Sequence, residues 1–214
     1  LFQNEFNTFY FYVVVGPLSK NVYKIDKLIT KFRNIEKIEN NFKLFKKINH
    51  TNLFVGTAGI SIFETALYSI PTILVKISNN QNVKTKNLIQ MGHFFILNKK
   101  HLFEYNKLSL LIYKFFKNYS MIKKEINNIA YKVDDRGLQR IAEVILKNKL
   151  PNKHNLESKN RKKNNFKFYE TPTKEISYYL KVRNKLINYK YSLTNKKIHI
   201  LDHYVWWLST KRKS

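Results

Sequence analysis

The residues of this chain with the most evident chemistry lie together in one stretch, Asn52–Pro71, which reads NLFVGTAGISIFETALYSIP. The pattern predicts a short apolar strand, a Gly-Thr-Ala-Gly turn and a helix with Ser61 and Glu64 near its start. A glycine turn between a strand and a helix lets a ligand approach the backbone closely and points free N–H groups at it. The stretch therefore suits a phosphate on the turn, with Glu64 placed to accept hydrogen bonds from sugar hydroxyls.

An ordinary strand–turn–helix is the alternative interpretation, because a short glycine pattern is weak evidence by itself. Glu64 favours a site, since its neighbours on the helix are apolar: Ile60, Ile62, Phe63, Ala66 and Leu67. The pair Asn80-Gln81 follows the next predicted strand, Thr72–Ile77. Loops that follow parallel strands open on the same rim of a sheet, so we expect one ligand to contact Glu64 and this pair.

Strands alternate with helices over roughly 150 residues, which predicts an α/β fold with a Rossmann-like parallel sheet covered by helices on both faces. The predicted strands are Phe9–Val15, Asn34–Ile38, Leu53–Val55, Thr72–Ile77 and His93–Leu97. The predicted helices are Ser19–Phe32, Asn41–Ile48, Ile60–Tyr68, Asn82–Met91, Leu102–Phe116, Ser120–Lys132 and a last one that Asp134–Gly137 caps and that reaches Leu150.

The composition divides the chain into three parts. Residues 1–150 form the α/β domain, the polar and lysine-rich residues 151–165 a linker, and residues 166–214 a tail. In the tail, Phe166–Tyr169 is typical of a strand, Thr173 of a helix cap, and Asp202 of the start of a helix that contains Trp206 and Trp207. The tail is too short to bury a core of its own, so it is either a packed appendage or the truncated front of a second domain.

The net charge of +26 on 214 residues would ordinarily indicate a nucleic acid or an anionic membrane as partner. The excess is mostly lysine, scattered along the chain and accompanied by much asparagine, isoleucine, phenylalanine and tyrosine. Because A/T-rich codons encode all of these residue types, biased base composition explains the charge. We therefore expect a solvated basic surface and no specific nucleic-acid partner.

Several classes of site and location are excluded or disfavoured. The chain has no cysteine, which excludes disulfides, thiolate metal sites and cysteine nucleophiles. No apolar run reaches the length of a membrane span and no leader opens the sequence, so a cytoplasmic protein is predicted. Leu1 and the strand that follows almost at once predict a piece of a longer protein. The spacing of His, Asp and Glu indicates no metal site, and His50, His93, His101 and His154 are expected to be structural or exposed.

Short motifs along the first two thirds of the chain belong together: Val13–Pro17 (VVVGP), Gly59-x-Ser61-x-x-Glu64, Ile70-Pro71, Asn80-Gln81 and Asp135–Ile141 (DRGLQRI). With these motifs, residues 11–146 resemble the C-terminal half of GT-B-type UDP-sugar enzymes. The most similar family is that of the UDP-sugar hydrolases of pseudaminic acid biosynthesis, which is related to spore-coat polysaccharide proteins and to the glycosyltransferase that makes lipid II. The family usually has Gly-Gly where Ala58-Gly59 stands here.

The resemblance implies a UDP-sugar site. Gly59, Ile60 and Ser61 would hold the diphosphate, Glu64 the ribose hydroxyls, and Asn80 and Gln81 would face the sugar or diphosphate. Gly16, Thr57 and Ala58 form a second group of candidates. In that family water displaces UDP from a diacetamido-trideoxy sugar, assisted by a histidine of the N-terminal half. That half is missing from this sequence, so we assign no catalytic residue and no cofactor, and we expect weak UDP binding without turnover.

The tail resembles the opening of a GNAT-fold sugar N-acetyltransferase in the motifs Tyr179–Asn184 (YLKVRN) and His203–Trp207 (HYVWW). In that family an Arg-Asn pair, here Arg183-Asn184, ends the first helix, and a His-x-x-Trp, here His203 and Trp206, follows on the next. The glycine loop that binds acetyl-CoA is missing from this sequence. The alternative is an amphipathic appendage that packs its tryptophans on the α/β domain.

Two other functions stay open. A GT-B glycosyltransferase would use the same UDP site to pass the sugar to a lipid or glycan, and the acceptor half that would discriminate is not in this sequence. A non-catalytic module for polyanions would explain the charge, and it predicts salt-dependent DNA binding that is indifferent to Glu64.

Overall fold

The computed structural model describes residues 6–39, 47–48, 50–78, 85–129, 132–147, 171–190, 192 and 194–210. These residues form an α/β fold with two small parallel sheets, one of two strands and one of three. The predicted α/β class is confirmed, and the parallel strands are compatible with a Rossmann-like arrangement. The predicted continuous sheet is divided in two.

The first sheet pairs β1 (Phe11–Val14) with β2 (Ile35–Ile38), and α1 (Val22–Lys31) connects them. The apolar residues of α1 recur at helical spacing, yet none of its side chains is fully buried. Helix α1 therefore packs only lightly on the two-stranded sheet.

The second sheet has the order β3 (Phe54–Thr57), β4 (Thr72–Lys76) and β5 (Phe95–Asn98). Helices α2 (Ser61–Leu67) and α3 (Thr85–Gln90) connect these strands. The central strand β4 is buried along four of its five residues, as a parallel strand covered on both faces should be.

A 3₁₀ segment (Lys99–Phe103) follows β5 and leads into α4 (Tyr105–Lys117) and α5 (Tyr119–Asn127). Leu111 and Phe115 of α4 and Ile122 and Ile126 of α5 are buried against the sheet. The predicted helix from Leu102 is thus divided at Glu104, where the geometry changes from 3₁₀ to α. Helix α6 (Gly137–Lys147) follows and exposes apolar side chains such as Leu138 and Ile145.

The described part of the tail consists of a 3₁₀ turn (Thr173–Glu175) and the helices α7 (Ile176–Arg183), α8 (Leu186–Tyr189) and α9 (Ile200–Thr210). It shares one hydrophobic core with the three-stranded sheet, in which the buried tail residues Ile176, Leu201, Tyr204, Trp207 and Leu208 meet Ile73, Val75 and Phe95. This is the packing expected of an appendage. The division of the chain into domains stays a prediction, because residues 148–170 lie outside the described ranges.

Two predicted helix caps are wrong. Helix α1 begins at Val22 after Asn21, and the N–H of Ser19 donates instead to the carbonyl of Gly16 in a turn. Thr173 begins a 3₁₀ turn, and its hydroxyl and N–H donate to Glu125 of α5 at 2.9 and 2.7 Å. The strand predicted at Phe166–Tyr169 and most of the helix predicted at Asn41–Ile48 lie outside the described residues.

Candidate functional site

The β3–α2 turn, residues 58–60, lies at the carboxyl end of β3, as the sequence predicted. The N–H of Gly59 donates to the carbonyl of Thr57 at 2.8 Å, which closes the turn tightly. Among the described residues, no acceptor faces the N–H groups of Ile60 and Ser61, which belong to the unsatisfied donors of the α2 start. Two adjacent donors are thus open to a ligand at this turn.

The two glycines of this segment have different roles. Gly56 lies within β3 under the ring of Phe54, where a Cβ atom would come within 2.4 Å of that ring. Its absent side chain serves packing and not a ligand, contrary to the expectation of a four-residue turn. At Gly59 a Cβ atom would meet only the Thr57 hydroxyl, at 3.7 Å, so the space above this residue is open.

Glu64 lies one turn into α2 and its side chain is exposed. No described residue forms an ion pair or hydrogen bond with its carboxylate, although the chain has 40 lysines and arginines for 14 acids. The exposed apolar side chain of Phe63 lies on the same helix, and that of Ile60 lies in the turn before it. An unpaired carboxylate among exposed apolar groups is available to a ligand that presents both hydroxyl groups and an apolar surface.

Other predicted residues are divided between the described and the undescribed parts of the chain. Ala58 is the buried residue of the turn, and Gly16 follows β1 with open space around it. Asn80 and Gln81 lie outside the described residues, so their position relative to Glu64 stays a prediction. Sequence reasoning missed Lys76, which ends β4 next to the β3–α2 turn in the strand register and whose ammonium donates to Thr85 at 3.3 Å.

The four residues predicted from the tail motif lie together. The guanidinium of Arg183 lies 5.5 Å from the ring centre of Trp206, which stacks at 5.6 Å on His203. Asn184 bonds the backbone of Ile198 twice, because its amide donates to the carbonyl at 2.9 Å and its oxygen accepts from the N–H at 2.7 Å. These contacts join α7 to the start of α9, and each has a structural role.

Buried histidines contribute to the core and not to a site. Nε2 of His93 lies 2.9 Å from the carbonyl of Ile62, and Nε2 of His203 lies 3.0 Å from that of Ile176. Burial lowers the pKa of both rings below the ordinary value of 6.5, although each hydrogen bond partly opposes the effect. Both rings are therefore neutral near pH 7, and neither Nδ1 has a hydrogen-bond partner in the described structure.

Three side chains that the sequence analysis did not combine meet beyond β5. His101, Glu104 and His199 place one ligand-type atom each within 4.8 Å of one another. Nε2 of His199 lies 3.1 Å from a carboxylate oxygen of Glu104. No sequence signal joins these residues, because His199 is remote in the chain and reaches the group only through the packing of α9.

The hydrogen bonds of this cluster do not suit a metal ion. The N–H of Asn98 donates to Nδ1 of His101 at 2.9 Å, so the proton of the neutral ring is on Nε2. A protonated nitrogen has no lone pair for an ion, whereas a metal-binding histidine donates its second N–H to an oxygen. Burial lowers the pKa of His101, so the ring stays neutral. The cluster therefore connects the tail to the end of β5.

None of the described helices is long and apolar enough to cross a membrane. Comparison with known proteins found no match to this chain among family models, curated proteins or solved structures.

Proposed function

We propose that this chain binds a UDP-sugar at the β3–α2 turn and is the nucleotide-binding part of a cytoplasmic UDP-sugar hydrolase of nonulosonate (pseudaminic acid) biosynthesis. One observation supports this most directly. The free N–H groups of Ile60 and Ser61 lie at the carboxyl end of β3, and the unpaired carboxylate of Glu64 follows one turn later. Ligands of open parallel sheets bind at this rim.

The roles follow from the chemistry of the groups. The N–H groups of Ile60 and Ser61 donate to diphosphate oxygens, and the ammonium of Lys76 offsets their charge from the neighbouring strand. The Glu64 carboxylate accepts hydrogen bonds from the two ribose hydroxyls. In this proposal Asn80 and Gln81 contact the sugar or the diphosphate.

In this proposal, turnover requires a group from outside the β3–α2 turn. Water must attack the anomeric carbon while a general acid or base assists, and we propose that an N-terminal half supplies that group. The isolated chain then binds UDP and releases no sugar. A glycosyltransferase would use the same nucleotide site, so binding by this chain does not separate the two reactions.

Calorimetric titration of UDP into the chain, with Glu64→Ala beside the unchanged protein, tests the proposal. We expect the mutant to lose about tenfold or more in affinity, because hydrogen bonds to a charged group contribute about 1.5–3 kcal/mol. Glu143→Ala is the matched control, since Glu143 is an exposed glutamate on α6 and its replacement changes the net charge equally.

Titration with a short DNA duplex tests the alternative, a polyanion-binding module. A polyanion-binding module would bind DNA with a steep dependence on salt and would be indifferent to both substitutions. DNA binding without any UDP signal would exclude the nucleotide site. Removal of either carboxylate should by general charge alone favour the anionic UDP, so an affinity of Glu64→Ala that is unchanged or raised to the same extent as in Glu143→Ala would contradict a contact between Glu64 and the ribose.

A further inference from the structure

A cavity of about 470 Å³ lies where α4 ends and α5 begins. Phe9, which precedes β1, and Asn52, which precedes β3, line it together with residues of the α4–α5 corner. The volume lies within the range of about 300–1,000 Å³ that is usual for small-molecule sites. The cavity is therefore large enough for an organic ligand.

The cavity is separate from the β3–α2 turn. Asn52 lies two residues before β3, whereas the turn follows directly after this strand. The four residues of β3, at about 3.3 Å each, stand between the two places. Among the described residues that line the cavity, none belongs to the turn. A ligand of the cavity would therefore leave the proposed UDP site free.

Aromatic side chains form much of the cavity wall. The ring of Phe9 stacks on that of Phe116 with the ring centres 4.2 Å apart, and Tyr113 and Tyr119 also line the space. None of these four side chains is fully buried, so each still has aromatic surface to cover. A flat apolar molecule covers such surface by burying area and by stacking on the rings.

Three polar side chains at the cavity have no hydrogen-bond partner within the described residues. The Lys117 ammonium lies 5.5 Å from the ring centre of Tyr113, and no described acid forms an ion pair with it. The Asn52 amide and the Tyr119 hydroxyl are likewise without a described partner. An ammonium, an amide and a hydroxyl all donate hydrogen bonds, so together they suit the oxygen atoms of an anion.

The position of Lys117 distinguishes it from the other lysines. With 40 lysines and arginines for 14 acids, most cations of this chain have no acidic partner, so an unpaired lysine alone indicates nothing. Lys117 stands at an aromatic cavity with two further unpaired donors, and no described lining residue is an acid that would compete for them. An apolar wall with a few polar groups at one place is the usual composition of a ligand site.

We propose that this cavity binds a small aromatic carboxylate. The ring system of the ligand lies against the stacked pair Phe9 and Phe116, and its carboxylate accepts a hydrogen bond from the Lys117 ammonium. Asn52 and Tyr119 are further donors to the carboxylate. A neutral aromatic molecule lacks the charge-assisted hydrogen bond, and a small anion without rings leaves the walls uncovered. The inference does not rest on nucleotide binding.

Titration with 2-naphthoate, followed by two-dimensional amide NMR, tests the proposal. The neutral 2-naphthamide has the same rings, and acetate has the same charge without rings. We expect both naphthyl probes to shift the amide signals of Phe9, Asn52 and Lys117, and acetate at the same concentration to leave them in place. Naphthoate should bind about threefold to fivefold more tightly than naphthamide, the factor that one exposed ion pair contributes.

Lys117→Met removes the ammonium and keeps an unbranched side chain of similar length. In this variant, naphthoate and naphthamide should bind with equal affinity. Lys124→Met is the matched control, because Lys124 is an exposed lysine of α5 that does not line the cavity, and it should keep the preference for naphthoate. Tyr119→Phe keeps the ring and should weaken naphthoate by about twofold or more through the lost hydrogen bond. The three changes affect partly or fully exposed side chains, so the fold should persist.

Four results would overturn the proposal. Unchanged amide signals of Phe9, Asn52 and Lys117 at naphthoate concentrations up to about 5 mM would exclude a site of even weak affinity. Equal losses of the naphthoate preference in Lys117→Met and Lys124→Met would assign it to the net charge. Shifts by acetate as large as those by naphthoate would show that the walls do not bind the rings. Shifts confined to Ile60 and Ser61 would place the probe at the β3–α2 turn. UDP is absent throughout, so the outcome does not depend on the proposed function.

Discussion

The two edges of the three-stranded sheet differ in how their backbone groups are satisfied. At the β5 edge, the hydroxyl of Tyr204 lies 3.3 Å from the N–H and 3.2 Å from the carbonyl of Ile96, and His101 accepts the N–H of Asn98. At the β3 edge, the backbone groups of Val55 point away from β4, and no strand of the described residues pairs with them. Side chains thus supply to the β5 edge the hydrogen bonds that a neighbouring strand would supply, whereas the β3 edge has no strand partner among the described residues.

The same contrast extends to the units behind each edge. The tail behind β5 buries Tyr204 and Trp207 completely, and Lys107 of α4 pairs with Asp202 of α9 at 2.8 Å. The β1–α1–β2 unit beside the β3 edge buries little, and α1 has no fully buried residue. The difference teaches that the tail is part of the folding core, while the first unit adds little buried surface to it.

Trp207→Ala should have the largest effect of the substitutions, and it tests the packing of the tail behind the β5 edge. The side chain is fully buried in the shared core, so its removal should cost about 3–5 kcal/mol in the free energy of unfolding, measured by urea denaturation. Trp206→Ala is the matched control on the same helix, and its half-exposed side chain should cost about 1 kcal/mol. Equal losses would contradict the assignment of the tail to the core.

Tyr204→Phe isolates the hydroxyl that covers the β5 edge. It leaves the N–H and carbonyl of Ile96 buried without a partner, which should cost about 1–3 kcal/mol. Amide exchange at Ile96 should accelerate in parallel with the loss of stability. Tyr179→Phe is the control, because no hydrogen bond involves its hydroxyl in the described structure, and a comparable loss there would argue against a specific role for the edge.

Acidification should lower the free energy of unfolding, because His203 is buried in the packing of the tail. Burial holds the pKa of His203 below 6.5 in the folded chain, so protonation favours the unfolded state. Stability is fully present above about pH 6.5 and is lost as the pH falls towards the lower, folded pKa. Unfolding measured between pH 7.5 and 5 should show this decline, and His203→Gln should make the decline shallower. An unchanged slope in the variant would exclude His203 as a source.

Leu28→Ala in α1 should have the smallest effect. The side chain is largely exposed, so we expect a change within about 0.5 kcal/mol in urea denaturation. A loss above about 2 kcal/mol in the free energy of unfolding would mean that Leu28 is packed in a core and contradict the light packing of α1.

The elements of the α/β part were predictable where local pattern decides them. The continuous apolar run of β4 predicted Thr72–Ile77, and the strand covers Thr72–Lys76. The predicted turn before Ser61 is also present, because glycine and the apolar pattern act locally. Glu64 was likewise predicted near the start of that helix, and its side chain is exposed there.

The features that hold the tail could not be predicted, because they join residues far apart in the chain. Tyr204 and Ile96 are separated by 108 positions, and nothing in the local pattern pairs a tyrosine hydroxyl with one strand residue. The same holds for His199 and Glu104. The division of the sheet was also unpredictable, since periodicity predicts strands but not which edges remain unpaired.

The contact between Glu125 and Thr173 has a consequence for the chain between them. One carboxylate receives both the N–H and the hydroxyl of Thr173, so the polypeptide returns to the fold at a fixed point on α5. The contact therefore holds the two ends of the intervening stretch together. Doubling the length of such a loop costs only about 0.6 kcal/mol in closure entropy. A longer connection between Glu125 and Thr173 should therefore cost the fold little, as long as this contact persists.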